Sequence, residues 1–180
     1  TKDAAEAVKW YRKSADQENR NGQRQLGWMY ATGEGVTKDP SEAIKWYRKA
    51  AEQDDVTAQY FLGGMYENGQ GVPKDEAAAV GWYRKAAEQG LANAQRNLGA
   101  MYLNGQGIPK DEAAAADWVR KAAEQGDAIA QYLLGAMYAN GQGVTKDSVE
   151  AVKWYRKAAE QGFANAQQSL GFMYDEGLGV

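Results

Sequence analysis

The sequence predicts an all-α array of stacked helical hairpins, and three observations carry that prediction. Leu26, Leu62, Leu98, Leu134 and Leu170 recur at a constant step of 36 residues, as do Trp10, Trp46, Trp82, Trp118 and Trp154, and Met29, Met65, Met101, Met137 and Met173. Five such steps fill all 180 positions. Apolar residues inside each step come at helical spacing, and glycine, with an occasional proline, separates the helical runs. A fixed period of this size marks a solenoid, in which each unit buries its apolar face only by stacking on its neighbours. Length therefore counts repeats, and one elongated domain is expected.

Taken in order, Ala4 to Gln17 reads as a helix with Asp3 as N-cap, because aspartate accepts from an unpaired first-turn N–H. Asp39, Asp75, Asp111 and Asp147 repeat that cap. Ala7, Trp10, Tyr11 and Ala15 fall on one stripe, which is expected to be buried. On that reading Trp82→Ala costs about 3–5 kcal/mol, as truncation of a buried aromatic does. Arg12 and Lys13 recur in every copy and read as a solvated face whose charge suits the negative end of the helix dipole.

The second helix type runs about Asn21 to Tyr30, then Thr57 to Asn68, Asn93 to Asn104, Ile129 to Asn140 and Asn165 to Glu176. Ala94, Leu98, Met101 and Tyr102 mark its core side. Gly27, Gly63, Gly99, Gly135 and Gly171 sit inside these helices at a cost of about 1 kcal/mol each relative to alanine, which implies a close helix crossing there. Gly105-Gln106-Gly107-Ile108 and its copies follow; the first glycine suits the left-handed helix stop, and Pro73 or Pro109 prevents continuation. The glycine spacing does not fit a phosphate-binding loop.

Composition narrows the function. Net charge is −3 with pI near 5.1, which disfavours nucleic acid as partner. Cysteine and histidine are absent, removing disulfides, thiolate nucleophiles, imidazole bases and His- or Cys-ligated metals. No run approaches the roughly 18 apolar residues of a membrane span. The compartment stays open between cytoplasm and periplasm or secretion. The methionine series reads as core, and Glu52, Glu88, Glu124 and Glu160 as solvated carboxylates, so neither an enzyme nor a cofactor is expected.

The pattern Ala-x-Ala-Gln-x-x-Leu-Gly-x-Met-Tyr-x-Asn-Gly-x-Gly-Val, then Lys-Asp-x-x-x-Ala-x-x-Trp-Tyr-Arg-Lys-Ala-Ala-Glu-Gln-Gly, resembles the Sel-one-like repeat family over the whole chain. The resemblance implies a tetratricopeptide-like, right-handed α-α superhelix of antiparallel pairs, helix A carrying Leu-Gly-x-Met-Tyr and helix B carrying Trp-Tyr-Arg-Lys. Residues 1–180 then form a single solenoid: a helix B at 1–18, and repeats beginning near 20, 56, 92, 128 and 164, the last lacking its helix B. The first inter-helix turn, Asp16 to Gly22, departs from the others and is expected to be looser. A cysteine-rich subgroup linked to β-lactam binding does not apply here.

The resemblance also implies an adaptor or scaffold. A position that only holds the stack has the same task in each copy, so ligand-binding residues are expected where the copies differ. On helix A these positions form one face, which tetratricopeptide-like folds turn towards a concave groove. Trp28, Tyr60, Phe61, Leu103, Tyr132 and Phe172 supply aromatic and apolar anchors there, and Arg24 and Arg96 the forks for a partner's carboxylate. A protein or peptide partner is expected, with Tyr60 dispensable for folding. The alternative is an end-to-end structural assembly module. Val180 read into Thr1 regenerates the Gly-x-Gly-Val-Thr-Lys-Asp junction, from which weak head-to-tail self-association is expected.

Overall fold

The computed structural model describes residues 3–180; Thr1 and Lys2, which enter the expected head-to-tail junction and open the expected first helix B segment, lie outside the described residues. Ten α-helices and no strand occur among the described residues. They are α1 (Ala4–Asp16), α2 (Arg20–Thr32), α3 (Pro40–Ala51), α4 (Val56–Asn68), α5 (Glu76–Glu88), α6 (Ala92–Asn104), α7 (Glu112–Glu124), α8 (Ala128–Asn140), α9 (Ser148–Glu160) and α10 (Ala164–Asp175). The even-numbered helices are the expected A type and the odd-numbered the B type. Two compact units divide the chain, one ending at Gln89 and the other running Gly90–Val180. Consecutive helices pack on one another within each, α1 to α5 in the first and α6 to α10 in the second.

Local chemistry sets each boundary. Asp39, Asp75 and Asp111 accept from the N–H three residues on, at 2.9–3.0 Å, and so start α3, α5 and α7. Gly69 ends α4 at φ +67°, where its N–H reaches the Met65 carbonyl. The second loop glycine does a different job. A Cβ on Gly71 would collide with the Pro40 carbonyl at the start of α3, and one on Gly143 with the Glu112 carbonyl at the start of α7. Gly35 and Gly179 press likewise on Ala4 and Ser148, so each glycine seats its loop on the helix B that begins 31 residues earlier.

Gly27, Gly63, Gly99 and Gly135 are crossing points, as expected; Gly171 is not, since a Cβ there would meet nothing within 4 Å. A Cβ at Gly63 would stand 2.5 Å from the Tyr83 ring, at Gly135 2.7 Å from Tyr155, and at Gly99 2.7 Å from Val119. Tyr47, Tyr83, Val119 and Tyr155 are accordingly buried, with Leu62, Met65, Leu134 and Met137 beside them. The tryptophan expectation needs correction. Trp10 is 60% exposed, Trp82, Trp118 and Trp154 are half-buried, and only Trp46 is enclosed. Helical periodicity puts residues i and i+1 on one stripe, but the centre of the seam takes the residue after the tryptophan. The tryptophan lies at its margin, covered by the lysine one turn on: Lys49 over Trp46 at 4.4 Å, Lys85 over Trp82 at 4.3 Å and Lys121 over Trp118 at 4.0 Å.

The recurrent arginines are likewise more than a solvated face. Arg12, Arg48, Arg120 and Arg156 donate to the hydroxyls of Tyr30, Tyr66, Tyr138 and Tyr174, each 18 residues on, binding helix B to the following helix A. Neighbouring repeats are joined by buried glutamines. Gln59 donates its amide to the Ala51 carbonyl at 3.2 Å and accepts from Gln89 at 2.8 Å; Gln131 does the same with Ala123 and Gln161, at 3.1 and 2.8 Å. Gln23 and Gln53 form the corresponding pair at 2.8 Å.

Candidate functional site

The variable helix A positions are distributed over both units, and each unit arranges its own set. In the first, Trp28 on α2 and Tyr60 and Phe61 on α4 come together. Trp28 and Phe61 have ring centroids 5.8 Å apart, Phe61 also meets Tyr47 at 5.2 Å and Tyr60 at 5.8 Å, and Tyr60 meets Tyr83 at 5.7 Å. Every contact is tilted, the arrangement ring quadrupoles favour over face-to-face stacking. Phe61 and Tyr60 are half-buried in this ladder, whereas Trp28 leaves 41% of its surface open. The ladder thus has a packed base and an exposed aromatic edge.

In the second unit Tyr132 on α8 meets Tyr155 at 5.7 Å and Phe163 at 5.3 Å. Leu103, at the C-terminal end of α6, is half-buried and packs onto the core of Val119, Leu134 and Met137. Phe172 on α10 is 57% exposed and borders a shallow pocket of about 430 Å³ shared with Ala139, Tyr155 and Ser169. Burial raises the Tyr155 pKa, and the Tyr132 phenol adds to that, against the hydrogen bond from Ser169.

Arg24 and Arg96 do not stand free. Arg24 Nη1 lies 3.2 Å from the carboxylate of Asp55, which is 5% exposed and also caps α4 by accepting from the Ala58 N–H at 2.9 Å. Arg96 Nε lies 3.5 Å from Asp127, the N-cap of α8, and its Nη2 donates to Asn93 at 3.3 Å. Each arginine therefore ties its helix A to the cap of the next one. Variation along this face is partly architectural, with an Arg–Asp tie in some copies and a Tyr132–Phe163 contact in another.

Glu67, one of the variable helix A positions, acquires on this face a partner that the sequence does not display. Tyr83 on α5 donates its hydroxyl to Glu67 on α4 at 2.7 Å. The corresponding positions hold Ala31, Leu103, Ala139 and Asp175, and of the two carboxylates Glu67 is the one that lies 16 residues before a buried B-helix tyrosine. Among the described residues no group of three or more acidic side chains is placed to hold a metal, and no helix is long and apolar enough to cross a membrane.

The Sel1 repeat model matches residues 1–19, 21–55, 56–91, 92–127, 128–163 and 164–180. No curated protein matches the sequence. Among solved structures, a protective antigen present in uropathogenic Escherichia coli strains, displaying an SLR fold, superposes with TM-score 0.94 at 47% identity over 96% of this chain. The chain spans 37% of that protein's length. A Sel1 repeat protein from Oxalobacter formigenes gives TM-score 0.88 at 44% identity, covering 97% of this chain and 71% of its own. An immunity protein from Pseudomonas aeruginosa gives 0.58 at 26% identity, covering 92% and 61% respectively.

Proposed function

The chain belongs to the Sel1 repeat family, whose members generally mediate protein–protein interaction, and from that premise we propose that it is an adaptor whose helix A faces receive a segment of another protein. One observation carries the reading: Trp28 projects an open aromatic edge from a ladder whose other rings are held by packing. Large aromatics supported in this way lose little side-chain freedom on binding, which makes them efficient anchors. Phe172 offers a comparable surface in the second unit. Tyr60 and Phe61 support Trp28, Tyr132 packs on the Tyr155 ring that borders the Phe172 pocket, and Leu103 adds apolar surface in the second unit. Arg24 and Arg96 hold the caps of the next A helices, so their part in recognition is to keep the face in register. The role is binding without chemistry on the partner.

Selection of peptides from a random display library on the purified protein tests this. Trp28→Ala or Phe172→Ala is expected to weaken selected peptides roughly tenfold or more, the scale of a hot-spot truncation. Lys13→Ala, on helix B, is expected to leave them unchanged. Peptides that respond to helix B substitutions and ignore both aromatics would move the site to the other side of the repeats.

A further inference from the structure

The helix A face of the first unit contains a glycine that packing does not demand. Gly63 must be glycine, because the Tyr83 ring occupies the place of its Cβ. Its neighbour Gly64 is different: a Cβ there would meet only the Tyr83 hydroxyl oxygen, at 3.5 Å, an ordinary contact. Alanine would fit and would favour the helix. The corresponding positions carry Trp28, Ala100, Ala136 and Phe172, so Gly64 alone removes the side chain altogether. Its absence opens a notch over the end of the Tyr83 ring.

The chemistry of that notch is specific. One wall is aromatic, formed by Tyr60 and by Phe61 with Trp28 beyond it. Its polar end is the Glu67 carboxylate, held by the Tyr83 hydroxyl at 2.7 Å through Oε2. A neutral phenol orients that carboxylate without cancelling its charge. Among the described residues Glu67 has no ion pair; the Lys74 ammonium attracts it but bonds to Glu76 at 2.8 Å. The cation on the same face, Arg24, is already taken by Asp55. A ligand entering here meets aromatic faces and a carboxylate that has no ion-pair partner of its own among the described residues.

We propose that this notch receives a lysine or arginine side chain of the partner segment, its stem lying on Tyr60 and Phe61 and its charged end on Glu67. The inference rests on the helix A face being the binding surface, and it reverses the charge preference that Arg24 and Arg96 suggest from sequence. Aromatic faces attract a cation through their quadrupoles, and a charge-assisted hydrogen bond to a pre-oriented carboxylate adds directionality.

The probe is a set of display-selected peptides that bind the purified chain, resynthesised with the basic residue replaced by norleucine or citrulline. Glu67→Gln keeps an acceptor for Tyr83 and removes the charge; Gly64→Leu fills the notch from a half-buried helix position. Circular dichroism and urea midpoints verify that both variants fold. Selected peptides are expected to carry a lysine or arginine and to lose roughly tenfold or more in affinity with Glu67→Gln, Gly64→Leu or the neutral replacement. Amide shifts at Gly63 and Gly64 should accompany binding. Peptides that depend on Trp28 but tolerate Glu67→Gln and norleucine would overturn the cation notch and leave the helix A face standing. Peptides indifferent to Trp28 and Phe172 as well would overturn both.

Discussion

Tyr83 and Trp82 are adjacent in the chain and meet different surroundings. Tyr83 is 2% exposed, wedged against Gly63, while Trp82 is half-buried under the Lys85 ammonium. Tyr83→Ala should therefore cost about 3–5 kcal/mol and Trp82→Ala about 2–3, measured by urea denaturation. Equal costs would place the tryptophan at the seam centre after all. The periodicity of the sequence reveals the stripe but not which member of a Trp-Tyr pair faces the glycine, because that depends on the crossing of a second helix. Tyr47 adds a pH effect. Burial pushes its phenol above the ordinary value near 10, partly opposed by Arg24. The unfolded chain then loses that proton first, so stability is intact below about pH 10 and falls as pH rises towards the folded value. Tyr47→Phe should flatten the alkaline limb of a stability profile; an unchanged slope would assign the loss to other phenols.

The structural elements are joined by polar ties that the sequence displays without explaining. Gln59 is 1% exposed and bonded on both sides of its amide. Gln59→Ala should cost about 1–3 kcal/mol, because the Ala51 carbonyl and the Gln89 amide lose their partner. A double-mutant cycle with Gln89→Ala should show coupling of about 0.5 kcal/mol or more, and strict additivity would dissolve the pair. Arg24→Ala tests the cap tie. It leaves the Asp55 carboxylate buried without its cation, and a loss of about 1–3 kcal/mol is expected, moderated by the solvent that reaches Arg24. An unaltered urea midpoint would return Arg24 to the pool of free binding groups. Helices, caps and glycine crossings were legible because they repeat. The Arg24–Asp55 tie was not, since its members lie 31 positions apart and occur in only some copies. A position varies for a ligand or for a neighbour, and the sequence shows the variation alike. Glu67 was hidden for a related reason: its meaning depends on the Tyr83 hydroxyl that folding delivers to it.

At the scale of the whole molecule, stability in a repeat array is close to a sum of local and nearest-neighbour terms. The loop glycines expose one of those terms. Gly143→Ala combines a left-handed backbone at φ +67° with collision against the Glu112 carbonyl, and should cost about 3 kcal/mol or more. Gly162→Ala has a comparable positive φ but open space around it, and should cost about 1–2 kcal/mol. Hydrogen exchange in Gly143→Ala should accelerate first at the start of α7 and the end of α8; uniform acceleration across the second unit would deny the loop a local seat. The same seat reaches into genetics. Because the loops of Gly35, Gly71, Gly143 and Gly179 each land on the helix that began 31 residues before, a codon gained or lost between the two contacts shifts a glycine off its socket, whereas deletion or duplication of 36 codons returns an equivalent loop to an equivalent helix. Unequal recombination between copies can therefore lengthen or shorten such a gene in whole repeats without ever passing through a misfitting intermediate.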